Sequence, residues 1–122
     1  MSARRVLVVD DDDLSRELLR AMLERLGVSV TLVGSGSAGL AACQDDSFDL
    51  LLVDLKLPDM DGLALVQRLR EGVEGKGPVV VVISGAEADE SRERCRQAGC
   101  DGFLAKPFTF QEFSTALEPY LR

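Results

Sequence analysis

Apolar positions along this chain fall into two kinds of segment. Short apolar-rich runs cover residues 5–9, 28–33, 50–53, 79–83 and 102–105. Val79, Val80, Val81, Val82 and Ile83 are consecutive β-branched residues, the signature of a strand buried on both faces near the centre of a parallel sheet. Between the runs the period lengthens to that of a helix. A first helix is predicted from the acidic cluster Asp10, Asp11, Asp12 and Asp13, which can cap its start, to about Arg25, with Gly27 as the stop. Its apolar positions Leu14, Leu18, Ala21, Met22 and Leu26 recur at helical spacing, and Leu19 and Leu23 widen the stripe. A weaker helix follows at 37–44, closed by the turn formers Asp45, Asp46 and Ser47, and a third at 63–70. Gly72, Gly75 and Gly77 mark a flexible loop before Pro78, and Ser84, Gly85 and Ala86 break the fourth strand. A polar helix at 88–98 carries only the small residues Ala88, Ser91, Cys95 and Ala98 on its inner stripe. Phe110, Phe113, Leu117 and Leu121 outline the last helix, whose final turn Pro119 should distort. Strand and helix alternate throughout, which predicts an α/β fold: a five-stranded parallel sheet, doubly wound through right-handed crossovers with helices on both faces.

Composition sets the class. The 122 residues suit one domain, 1–122, and 46% apolar with 29% charged residues is ordinary for a globular protein. A formal charge of -7 would repel a phosphate backbone and argues against direct nucleic-acid binding, while leaving cations and basic protein surfaces as partners. No apolar run approaches the roughly 18 residues that span a bilayer, and Met1, Ser2, Ala3, Arg4 and Arg5 lead directly into a strand, so a cytoplasmic protein without a membrane partner is expected. Cys43, Cys95 and Cys100 lack CxxC spacing and the chain has no histidine, which reads as apolar filler rather than a metal site.

The chemistry lies where strands end. In an open doubly wound sheet the functional crevice lies beyond the carboxyl ends of the strands. Those positions hold Asp10 and Asp11 after the first strand, Asp54 at the end of the third, Ser84 after the fourth and Lys106 after the fifth. Taken singly, the acidic run could be a helix cap, Ser84 a turn former and Lys106 a solvated charge. Their joint placement around one crevice favours a site. Two carboxylates about 5 Å apart repel by about 3 kcal/mol at an effective dielectric near 20, so three sharing a cleft call for a cation. Mg²⁺ suits hard oxygen donors that leave room for water and a phosphoryl group; Ca²⁺ would want more protein oxygens than this cleft offers.

These segments, Val6 to Asp12, Val53 to Gly62, Val82 to Gly85 and Ala105 to Phe108, together resemble the receiver domain of two-component response regulators, over nearly the whole chain. The resemblance implies a flavodoxin-like strand order 2-1-3-4-5. It implies that Asp54 takes a phosphoryl group from a histidine kinase or histidine phosphotransfer protein, with Mg²⁺ held by Asp10, Asp11, Asp54 and the backbone carbonyl of Lys56. Lys106 and Ser84 would contact the phosphoryl oxygens, and Ser84 and Phe103 would form a switch that changes the face offered to a downstream protein. It further implies a cis Lys106–Pro107 peptide and a monomer or phosphorylation-dependent dimer. Such a chain is a phosphoacceptor, not an enzyme on an external substrate, either stand-alone or part of a hybrid kinase or multidomain regulator. Ser84 stands where Thr is frequent, and Phe103 lacks the hydroxyl of Tyr. Asp12 or Asp13 should face solvent or cap the first helix.

Other classes fit less well. An Asp-nucleophile phosphatase of the haloacid-dehalogenase type needs a second acid at position 56, which is Lys. A flavin or nucleotide binder needs a Gly-rich phosphate loop, where this chain has four acids. A degenerate receiver that only binds proteins would not need Asp10, Asp11, Asp54, Ser84 and Lys106 together.

Overall fold

The structure, a computed structural model, describes residues 4–71, 77–85 and 88–121. Gly72, Gly75, Ala86 and the side chain of Ala88, which figure in the sequence reading, lie outside the described residues. The strands are β1 (Arg5–Val9), β2 (Ser29–Val33), β3 (Leu50–Asp54), β4 (Val79–Ser84) and β5 (Gly102–Ala105); the helices are α1 (Asp13–Arg25), α2 (Gly36–Asp45), α3 (Gly62–Arg70), α4 (Ala88–Ala98) and α5 (Phe110–Leu121). All strand pairs are parallel, in the order β2-β1-β3-β4-β5. The expected doubly wound α/β fold and its strand order are thus present.

The apolar strands are buried because side chains leave a strand alternately to its two faces. Val6, Val8, Leu50, Leu52, Val81, Ile83 and Leu104 pack with Leu19 and Leu23 of α1 and Phe113 and Leu117 of α5. Leu7, Val9, Leu51, Val53, Val80 and Val82 pack on the opposite face with Leu63, Leu65 and Val66 of α3 and Cys95 of α4. With a core on both sides, β1, β3 and β4 have no polar alternation to show.

Helix α1 corrects the sequence reading. Leu14 and Leu18 are 82% and 55% exposed, Ala21 is exposed as well, and the buried face is formed by Leu19 and Leu23, flanked by Met22 and Leu26. At about 100° per residue the helix carries two apolar stripes, and only one can face the sheet. Its ends follow local rules. Asp12 is the N-cap, its carboxylate accepting the Ser15 N–H at 2.7 Å, while Asp13 faces solvent and pairs with Arg16. Gly27 closes the helix at φ +80°, a conformation that a Cβ disfavours. Helix α2 starts one residue earlier than expected, at Gly36, and α5 continues through Pro119 to Leu121.

The candidate carboxylate and lysine site

Register brings the strand ends together. Val9 pairs with Val53, so the next residues, Asp10 and Asp54, leave adjacent strands side by side; Asp54 pairs with Ile83, and Ser84 with Ala105, immediately before Lys106. Ligand atoms of Asp10, Asp11 and Asp54 all lie within 4.8 Å of one another. Asp10 is 2% exposed, Asp11 is open to solvent and Asp54 is between them. Lys106 Nζ donates to Asp54 Oδ2 at 3.2 Å and stands 4.0 Å from Asp10 Oδ2. Asp11, Asp54, Lys56, Ser84, Gly85 and Lys106 line a hollow of about 340 Å³. A hollow of similar size, about 360 Å³, lies at the opposite ends of β3 and β4, between Cys43, Phe48, Asp49, Pro78 and Val79, away from these groups.

Backbone contacts hold the acids in place. The Asp12 N–H donates to Asp10 Oδ1 at 2.9 Å and the Lys56 N–H to Asp54 Oδ1 at 3.0 Å. Arg16 donates to the Asp10 carbonyl at 2.7 Å, tying the acidic turn to α1. Gly62 comes so close to β3 that a Cβ there would stand 2.5 Å from the Asp54 carbonyl oxygen, which accounts for glycine at that position. Ser84 is buried, and its carbonyl accepts the Lys106 N–H at 2.8 Å. The Lys106–Pro107 peptide is cis.

The donors are all hard oxygens, the Asp11 carboxylate faces solvent, and the Lys106 ammonium stands beside Asp54 and Asp10. That donor set fits a divalent ion with open positions for water and a phosphoryl oxygen. Phe103 lies half-buried on β5 beyond Ser84, with the Arg92 guanidinium 4.8 Å from its ring centroid.

Sequence reading did not foresee three supports. Besides Arg16, these are Asp59, which accepts the N–H groups of Gly36 and Ser37 at 2.8 and 2.9 Å, and Asp61, which caps α3 through the Leu63 N–H and pairs with Arg94 of α4 at 3.2 Å. The pattern Asp61 followed by the apolar run from Leu63 was a visible cap signal. Nothing in the local sequence points Asp59 at a helix more than 20 residues away.

The chain is similar to known proteins in sequence and in fold. The transcriptional activator protein PfeR of Pseudomonas aeruginosa is 42% identical over 119 residues, covering 97% of this chain and 38% of PfeR. The chain therefore spans well under half of that relative's length. The polar-differentiation response regulator DivK of Brucella ovis is 28% identical, with 95% of this chain and 94% of DivK covered. Among solved structures, the receiver domain of a Pseudomonas aeruginosa sensor histidine kinase, described with a magnesium ion coordinated in its active-site cleft, superposes with a TM-score of 0.87 at 29% identity over 98% of both chains. A family model, the response regulator receiver domain, matches residues 6–118, and the chain belongs to that family of two-component signalling proteins.

Proposed function

We propose that this receiver takes a phosphoryl group onto Asp54 from the phosphohistidine of a histidine kinase or a phosphotransfer protein. The observation that carries the reading is the convergence of three carboxylates within 4.8 Å around a residue that Lys106 already contacts at 3.2 Å. An Asp54 oxygen attacks phosphorus, the bond to the donor imidazole breaks, and an acyl phosphate results. Asp10, Asp11 and Asp54, with the Lys56 carbonyl, would hold Mg²⁺; bound there, it supplies positive charge against the phosphoryl oxygens. The Lys106 ammonium supplies the same to another oxygen, and the Ser84 hydroxyl donates a hydrogen bond once the group has arrived. Such catalysis is mostly positioning and electrostatics, so rigid strand ends suit it. The domain acts only on its own Asp54, in gaining and losing the phosphoryl group.

The reading includes a cytoplasmic setting, where kinase and receiver meet, and a protein target for the face around α4, β5 and α5. It serves equally a stand-alone regulator of the length of DivK and a receiver within a longer chain such as PfeR. Intact mass after incubation with Mg²⁺ and acetyl phosphate, or with beryllofluoride, tests it. One adduct on the parent and none on Asp54→Asn is the expected result; labelling that persists in Asp54→Asn would place the acceptor elsewhere.

A further inference from the structure

Helix α4 ends in a two-bond closure: the Gly99 N–H donates to the Arg96 carbonyl at 3.3 Å, the Cys100 N–H donates to the Cys95 carbonyl at 3.0 Å, and Gly99 has φ +95°. This closure brings the side chains three positions before the cap and two beyond it into contact, usually as an apolar pair. Here both are cysteines, Cys95 three positions before the cap and Cys100 two beyond it. Cys95 is 2% exposed, while Cys100 is half-buried; both line a surface hollow of about 200 Å³ with Arg92, Arg96 and Phe103. The pair thus adjoins the face proposed to meet a protein target.

We propose that Cys95 and Cys100 are a dithiol that a peroxide converts to a disulfide, stapling the last turn of α4 to the start of β5. Cys100, the more accessible, attacks a peroxide oxygen; the O–O bond breaks and Cys100 becomes a sulfenic acid, with the displaced oxygen leaving as water after taking the thiol proton. The Cys95 sulfur then attacks the sulfenic sulfur, the S–O bond breaks, and a second water leaves with the Cys95 proton. Two thiols lose two electrons and two protons, and the peroxide is reduced to two waters. Burial pushes both thiols up, Cys100 to about 12 with the neighbouring sulfur adding to the rise. The seated pair therefore reacts slowly at neutral pH, and faster as pH rises or as the end of α4 loosens. In a reducing compartment the bond is transient, as redox-sensing disulfides are.

The test uses the whole protein with hydrogen peroxide and no phosphodonor, so it is independent of phosphoryl transfer. Titratable thiols in denaturant should fall from three to one, with loss of about 2 Da in intact mass, and dithiothreitol should restore both. Trypsin cuts at Arg96 between the two cysteines, so the product should appear as one cross-linked pair of peptides. Cys43→Ser should form the same cross-link, and Cys95→Ser should leave a sulfenic acid on Cys100 that dimedone traps. Three thiols that survive peroxide from neutral to alkaline pH overturn the proposal. So does oxygen added to any cysteine without the cross-link.

Discussion

Lys106 Nζ reaches Asp54 Oδ2 at 3.2 Å, so the candidate acceptor already has a cation in hand before any metal arrives. Two unit charges about 4 Å apart interact by about 4 kcal/mol at an effective dielectric of 20, but both side chains here are partly solvated and the net worth is nearer 1 kcal/mol. Lys106→Met leaves the acids uncompensated. Mg²⁺ should then bind roughly fivefold more tightly, while the yield of beryllofluoride adduct falls because one oxygen partner is gone. Calorimetric titration together with adduct mass separates the two effects. A weaker Mg²⁺ complex in Lys106→Met would mean that lysine and metal do not compete for the same carboxylates.

Gly62 gives a steric test of the same strand end. A Cβ at this position meets the Asp54 carbonyl at 2.5 Å and the Leu55 Cα at 2.9 Å, both of them backbone that has little room to move. Gly62→Ala should cost about 1–3 kcal/mol by overpacking, read from the urea midpoint, and should displace Asp54 enough to lower adduct formation. Ala at Gly77 is the comparison: a Cβ there meets the Arg70 guanidinium, which is bonded to the Pro78 carbonyl and Asp101, so any cost falls on those contacts and adduct formation at Asp54 should be unchanged.

Acid should loosen the loop between β3 and α3. The backbone N–H groups of Ser37 and Gly36 hold the Asp59 carboxyl below its ordinary value of 3.8. A lowered folded value means that the charged form stabilises the fold above the ordinary carboxylate range, and that this is lost as pH falls through 3.8 and below. Asp46, which Arg5 draws down to about 2, acts over a similar but deeper window. Unfolding midpoints measured from pH 6 to about pH 2 should show a shallower acid slope in Asp59→Asn than in the parent. Equal slopes would show that the Asp59 contacts are not kept in solution.

What could be read from sequence followed from how many physical constraints each residue answers to. Val79 to Ile83 cannot sit anywhere but between two layers, so class and sheet were plain, and Asp54 at the end of such a run stood out because burial there is costly. The inner face of α1 was misread because Leu14 and Leu18 obey helical spacing as well as Leu19 and Leu23 do, and only the packed sheet chooses between them. Arg16, Asp59 and Arg92 escaped for another reason: each acts through the direction of a side chain toward backbone or a ring, which no local spacing encodes.

That misread stripe leads to a prediction. Leu14 and Leu18 are the exposed large hydrophobics among the described residues, on a helix that starts at the lip of the carboxylate cleft. A protein that delivers a phosphoryl group to Asp54 must come over that lip, and covering two leucines would favour its approach. Leu14→Ser with Leu18→Ser should change stability by less than about 1 kcal/mol, since little burial is lost. Labelling by acetyl phosphate should be unaffected, whereas transfer from a protein donor should fall about tenfold or more. Equal loss with both donors would show that the substitutions disturb the acidic turn itself.

The Arg92 guanidinium lies over the Phe103 ring and so ties α4 to β5. Helix α4 is lightly anchored: Ser91 and Cys95 are its buried side chains among those described, where α1 uses Leu19 and Leu23. At about 25 cal/mol per Å² such small residues give little docking energy, so a modest new contact can shift the helix. The Arg92 guanidinium over the Phe103 ring adds a further tie, worth about 0.5–1 kcal/mol at an exposed site. Drawing the Ser84 hydroxyl toward a phosphoryl group at Asp54 would free space beside β5, and turning Phe103 into it requires breaking that stack. Arg92→Ala removes the tie while leaving the acids untouched. Amide exchange in α4 and β5 should then be faster in the free protein by roughly threefold, the equivalent of the lost stack. The additional change on beryllofluoride binding should shrink, because part of the release has already occurred. Phe103→Ala should take up beryllofluoride almost normally yet show altered affinity for a protein target. If exchange across residues 88–106 is the same in parent and Arg92→Ala, with adduct confirmed in both, the stack does not restrain the helix.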